Sequence, residues 1–135
     1  YRRPSRPHTI DTVFDTNYIS ELPRVDIVPS YAGADGTAIE AFISAGAKAI
    51  VVSTLAPGLP ASPQMEAIKK ALEKNIIVIY STRAGSGRVL RRQSMIDAGI
   101  IAADNLNPQK ARVLAMLALT KSTDTEVIQN FFDLY

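Results

Sequence analysis

Apolar residues fall along this chain in two rhythms, short continuous runs and stripes spaced by three and four, with Gly, Pro, Asn, Asp or Ser at each change. Val25-Asp26-Ile27-Val28, bounded by Pro23 and Pro29, predicts a strand, and Ser30-Tyr31-Ala32-Gly33-Ala34-Asp35-Gly36 predicts a glycine-rich loop after it. Asp35 is placed to cap a helix carrying Ile39, Phe42 and Ile43 on one stripe, and Gly46 to stop it. Ala49-Ile50-Val51-Val52 is apolar on both faces, as a strand between two helix layers must be. After a loop from Ser53 to Ala61, Ser62-Pro63 predicts an N-cap with proline at the first helical position. Met65, Ile68 and Leu72 form the stripe of that helix, which runs to about Lys74 and is closed by Asn75.

The pattern then repeats. Ile76-Ile77-Val78-Ile79-Tyr80 reads as a third buried strand, and Ser81 to Met95 as a long loop. Ile100-Ile101-Ala102-Ala103 offers a fourth strand, and Asn107-Pro108 opens a helix running to about Lys121. Thr123-Asp124-Thr125-Glu126 has the form of a capping box before a final amphipathic helix bearing Val127, Ile128, Phe131, Phe132 and Tyr135. The aromatic residues on it are read as core, not as a cofactor box. Together these elements predict an α/β fold, a doubly wound, Rossmann-like, mostly parallel four-stranded sheet with right-handed crossovers and helices on both faces. Ligands of such sheets bind beyond the carboxyl ends of the strands, which directs attention to the loops Ser30 to Asp35, Ser53 to Ser62 and Ser81 to Ser94. Residues 1–23, with Pro4, Pro7, Pro23, Arg2, Arg3 and Arg6 but no sustained periodicity, read as an arm or linker, leaving 24–135 as the domain.

Composition narrows the chemistry. A chain of 135 residues with 47% apolar and 21% charged content suits one compact domain. Without Cys, and with His8 as the one histidine, it can build neither a disulfide framework nor a thiolate or imidazole metal site. No cofactor is expected. A net charge of +2 gives no general field for nucleic acid, and no apolar run reaches the roughly 20 residues of a membrane span. The start, Tyr1-Arg2-Arg3-Pro4, lacks the apolar segment of a signal peptide, and the absence of Cys fits periplasm or cytoplasm equally.

Gly85-Ser86-Gly87-Arg88 could wrap backbone N–H groups round an anion, but its spacing fits neither the dinucleotide fingerprint nor the P-loop. A loop that needs glycine for its turns is the plainer reading. Arg83, Arg88, Arg91 and Arg92 have no aromatic residues interleaved for base stacking, so a solvated or subunit-facing loop is expected. His8, between Pro7 and Thr9, reads as a hydrogen-bonding linker residue, and no loop Ser or Thr is paired in sequence with a general base. The residues specify a fold and name no reaction.

Three stretches add to this. His8-Thr9-Ile10-Asp11-Thr12-Val13-Phe14-Asp15 is similar to the interdomain linker of bacterial-type L-asparaginases and glutaminase-asparaginases, and Glu21-Leu22-Pro23-Arg24-Val25-Asp26-Ile27-Val28 to the entry into their second domain. The segment from Asn105 through Asn107-Pro108-Gln109-Lys110-Ala111-Arg112 to Thr120 resembles that family's most recognisable carboxy-terminal stretch.

The resemblance implies amidohydrolase chemistry, in which a threonine hydroxyl attacks the side-chain amide of Asn or Gln, ammonia leaves, and water releases the acyl-enzyme. It places the nucleophile in an amino-terminal domain that this chain lacks, so no catalytic residue is expected here and the chain alone should be inactive. What it leaves to this half is oligomer contacts, in a homotetramer built as a dimer of dimers, and a rim to a neighbouring active site. An Asn and a Glu of that rim receive the substrate's α-amino group in many members. The matching places fall near Leu59 and Ser94, where this sequence has neither. Gln93 and Ser94 are the remaining substrate-adjacent candidates, as neutral acceptors, with Gly58 as a loop turn beside them. A charge-assisted hydrogen bond to ammonium is worth about 1.5–3 kcal/mol, so its loss bears on substrate choice. Asparagine, with glutamine as a second amide, the amino-terminal domain and further copies of the chain are the expected partners, with no nucleic acid and no membrane. A stand-alone α/β binding or interaction module that has lost the chemistry, and a subunit of a tRNA-dependent amidotransferase, are the competing readings.

Overall fold

A computed structural model describes residues 6–55 and 58–135; Arg2 and Arg3 of the arm, and Ala56 and Pro57 of the second loop, lie outside the described residues. Four strands, β1 (Val25–Pro29), β2 (Ala49–Thr54), β3 (Ile77–Thr82) and β4 (Ile101–Ala102), form one parallel sheet in the order β1-β2-β3-β4. Val25 is level with Ala49 and Ala49 with Ile77, while Ile79 is level with Ile101. β2 and β3 are buried along their whole length, which is why their sequences read as unbroken apolar runs.

Side chains alternate between two cores. Ile50, Val52, Val78 and Tyr80 face a layer built by α1 (Thr37–Ser44), α2 (Met65–Glu73) and the short α3 (Gln93–Asp97), where Ile39, Ile68 and Met95 meet them. Ala49, Val51, Ile77, Ile79 and Ile101 face α4 (Pro108–Leu119) and α5 (Thr125–Leu134), which contribute Ala111, Ala115, Ala118, Ile128 and Phe132. Both faces are covered and the fold is α/β, as expected. The strand order never reverses, so α1, α2 and α3 share one face and the second layer comes from α4 and α5 after the last strand.

Local chemistry sets most helix ends. Asn107 Oδ1 accepts from the Lys110 backbone N–H and Pro108 opens α4. Asp35 does not occupy the N-cap of α1, which is Gly36, but its carboxylate accepts from the N–H of Thr37, a bond that holds it below the ordinary carboxylate range. Further expectations are corrected. Ser62 does not cap a helix, because Ser62–Gln64 is a single 3-10 turn entered from Ala61, and α2 begins at Met65. Asp124, not Thr123, caps α5, its carboxylate accepting from the N–H groups of both Glu126 and Val127, a charge-assisted bond that a hydroxyl cannot match. Met65 of α2, expected on its buried stripe, is 48% exposed, and Val127 stands outside that of α5, while Ile68, Ile128 and Phe132 are buried. α1 and α2 approach so closely at Gly36 that a Cβ there would lie 2.7 Å from that of Ala67.

The arm is docked at Phe14, whose ring packs on Phe131 and Tyr135 with centroids 5.2 and 5.5 Å apart. The Tyr135 hydroxyl accepts from the Val13 N–H at 2.9 Å, and 3-10 turns at Thr9–Asp11 and Thr16–Tyr18 lie on either side.

Each border of the sheet is closed by a side chain. At β1, Arg112 Nε donates to the Val25 carbonyl at 2.6 Å, and Pro29 suits an edge because it has no N–H to pair. At β4, the buried Gln129 of α5 accepts from the Ala102 N–H at 2.9 Å and donates to the Ala102 carbonyl at 3.1 Å. Replacing it strands two buried backbone groups. Gln129→Leu is expected to lower stability by about 2–4 kcal/mol, read as a fall in the urea unfolding midpoint.

Candidate functional site

The carboxyl edge of the sheet carries a row of hydroxyl residues, Ser30, Ser53, Thr54, Ser81 and Thr82, all buried. Their position follows from the sequence, since each apolar strand gives way to polar residues where the chain turns out of the core. Four of these side chains are committed to structure. Ser30 Oγ donates to Gln64 Oε1 at 2.6 Å, Thr54 Oγ1 to the Ser81 carbonyl at 2.9 Å, and Ser81 Oγ to the Leu106 carbonyl at 2.6 Å. Thr82 Oγ1 accepts from the Ala84 N–H. Among the described residues, no hydrogen bond joins a hydroxyl of this row to His, Lys or a carboxylate, the arrangement an activated nucleophile requires.

Gln64 is central to the edge although nothing local in the sequence marks it. It is 1% exposed, accepts from Ser30, and donates through Nε2 to the Pro29 carbonyl at 3.2 Å. Arg83 Nη1 donates to the Ser30 carbonyl at 2.8 Å from the loop after β3. The loops following the first three strands thus converge on one residue, Ser30.

Gly58 is buried in a turn closed by bonds from the Leu55 N–H to the Leu59 carbonyl and from the Gly58 and Leu59 N–H groups to the Leu55 carbonyl. Its φ of +100° lies in the left-handed region, and a Cβ there would be 3.0 Å from Val89 Cγ1. The glycine therefore lets the second loop lie against the third. Val89 is itself fixed by its N–H donating to the Asp104 carbonyl at 2.9 Å.

Gln93 and Ser94 do not lie in a loop. They open α3, both exposed and followed by the buried Met95, and Gln93 Nε2 donates to Asp97 Oδ1 at 2.8 Å, one turn on. That bond engages Gln93's amide N–H, while the residue as a whole is exposed. Loop packing brings Gly58 to Val89, and Gln93 and Ser94 follow four and five residues later in the chain.

The arginines behave as links. Arg83 holds Ser30, Arg91 pairs with Glu126 of α5, and Arg88 Nε lies 3.3 Å from Asp104 Oδ1. Asp104, which the sequence reading passed over, also receives Arg6 Nη2 at 3.4 Å, and its φ of +51° places it in the left-handed region that Asp tolerates better than most residues. Gly85 and Gly87, by contrast, have nothing within 4 Å of a built Cβ, so the loop tip between the anchors is open. A cavity of about 740 Å³ lies elsewhere, between the arm and α4, lined by Phe14, Val113, Leu114, Leu117 and Tyr135 among others. It has an apolar floor and no cluster of acid and base groups.

Residues 24–132 match the family model described as the glutaminase/asparaginase C-terminal domain. The chain is 39% identical over 131 residues to L-asparaginase 2 of Bacillus subtilis, a match covering 97% of this chain and 35% of that protein. It is 38% identical to L-asparaginase 2 of Escherichia coli, covering 99% of this chain and 39% of the relative. The structure of a probable cytoplasmic L-asparaginase from Campylobacter jejuni superposes with a TM-score of 0.95 at 40% identity, over all of this chain and 44% of that one. The chain thus spans well under half the length of each of these relatives.

Two outcomes follow from the geometry. Gly58→Ala is expected to lose about 1–3 kcal/mol of stability through its left-handed backbone and the contact with Val89, read by urea unfolding. Tyr80, 3% exposed, has a hydroxyl without a partner among the described residues, and burial pushes its pKa up to about 12. The folded pKa lies above the ordinary phenol value of 10.0, so the stability tied to the neutral phenol is complete below pH 10 and is lost as pH rises toward about 12. Unfolding measured across that window should show this loss in the parent and a shallower one in Tyr80→Phe.

Proposed function

The chain belongs to the glutaminase/asparaginase C-terminal domain family, and from that premise we propose that it is the supporting part of an amidohydrolase acting on asparagine, with glutamine as the second amide to test. The observation that carries this reading is the likeness over the whole chain to a solved L-asparaginase at 40% identity. The reaction would be supplied by an amino-terminal domain: a threonine hydroxyl attacks the amide carbon, the C–N bond breaks and ammonia leaves, and water cleaves the acyl ester to release the acid. Four of the five hydroxyls at this domain's carboxyl edge are tied to Gln64 or to backbone groups, which supports assigning that nucleophile to another domain.

In this reading 1–23 is the linker and 24–135 the domain, a division supported by the start of the family match at residue 24. Gly58, Gln93 and Ser94 form a rim beside the active site of a neighbouring copy, in a homotetramer built as a dimer of dimers. Gln93 presents its carbonyl oxygen, and Ser94 its hydroxyl, as neutral acceptors for the substrate's ammonium. The interaction-module and tRNA-dependent alternatives find no support in the relatives named above, which carry asparaginase names.

Ammonia release tests this directly. The 135-residue chain is expected to release none from asparagine or glutamine, and the full-length protein to turn over at least one; a silent full-length protein refutes the reading. In the full-length protein, replacing Gln93 and Ser94 by Ala should raise KM by about three- to tenfold with kcat little changed, the pattern of lost uniform binding. An unchanged KM removes both residues from the rim.

A further inference from the structure

Arg83 is the first residue after β3, and it faces two ways. Its backbone N–H continues the ladder by donating to the Thr54 carbonyl at 3.0 Å, while its side chain crosses the end of β2 and donates from Nη1 to the Ser30 carbonyl at 2.8 Å. Ser30 is fully buried and bonded to Gln64, so the carbonyl that Arg83 grips is itself held rigidly. One guanidinium therefore spans the carboxyl ends of three strands. The loop it begins is fastened again at Val89 and Arg88, both on Asp104. Between those anchors nothing lies within 4 Å of where a side chain on Gly85 or Gly87 would begin.

We propose that Arg83 is a positioning residue for the substrate rim: its bond to the Ser30 carbonyl fixes where the loop after β3 leaves the sheet. Through Val89 against Gly58, that bond also sets where the two rim loops stand relative to a bound substrate. The inference rests on the proposed function for the meaning of the rim, but the strap itself does not. The Arg83 side chain is largely exposed and makes a single bond, so its loss leaves both cores and the sheet intact. Without it the loop keeps its backbone attachment, through the Arg83 N–H on the Thr54 carbonyl and the Ala84 N–H on Thr82 Oγ1, and loses the side-chain bond that ties its start to Ser30.

The test uses the full-length protein with Arg83→Ala and Arg83→Lys. Arg83→Ala should raise KM for asparagine by about tenfold, the loss of one charged hydrogen bond's worth of order, with kcat within about twofold and a fall in Tm of no more than a few degrees from the unpaired Ser30 carbonyl. Arg83→Lys, which keeps a charged donor but not its reach, should recover part of the KM. Amide hydrogen exchange is read alongside, with faster exchange expected at Tyr31 to Ala34 and at Ala84 to Arg88 in Arg83→Ala. Unchanged KM with unchanged exchange overturns the proposal, and so does a parallel fall of Tm and kcat in both variants, which marks a merely structural role. If the parent full-length protein releases no ammonia, the functional reading fails, and the strap then stands or falls on the exchange result alone.

Discussion

A parallel sheet covered by helices on both faces has no water along its length, so every backbone N–H and C=O must find a partner within the protein. Inside the sheet the ladders of β1 to β4 do this. At the borders and at the carboxyl edge the ladders end, and side chains take over: Arg112 on the Val25 carbonyl, Gln129 on Ala102, Gln64 on the Pro29 carbonyl, Ser81 on the Leu106 carbonyl. The residues that look most reactive are therefore there for the backbone's sake. A buried Ser whose proton is already donated to a carbonyl is a poor nucleophile without a base to take that proton.

This separates the role of the edge from that of a reaction centre. The edge joins three loops to one buried residue and presents a glycine turn, an open loop tip and the start of a short helix to whatever lies beyond. Such a surface can orient a ligand held elsewhere. Three of the arginines, Arg83, Arg88 and Arg91, are partnered by carboxylates or carbonyls of the same chain, which moderates the field that their number in the sequence suggests.

The parts of this fold that could be read from sequence are those decided over a few residues. β2 and β3 are apolar on both faces because they are buried on both, and the Asn107-Pro108 cap needs only its own helix. Misread features are those where neighbours compete. Ser62 and Thr123 have the right chemistry for caps, but a 3-10 turn at one and the carboxylate of Asp124 at the other take precedence. α3 has five residues, too few to display a stripe, so Gln93 and Ser94 read as loop. The edge network was illegible for a different reason: Ser30 meets Gln64 and Arg83 across 34 and 53 residues, separations at which only the folded sheet creates proximity. Tyr80 was legible as core, but the missing partner for its hydroxyl was not.

Gln129 offers its amide to Ala102 as a neighbouring strand would, donor to acceptor and acceptor to donor. In effect the sheet ends on a counterfeit fifth strand one residue long. A real strand passes the pattern on to the next molecule, whereas this one terminates it, since the rest of Gln129 belongs to a helix. A further strand arriving at this margin would find the donor and acceptor of Ala102 already taken, which opposes edge-to-edge growth there.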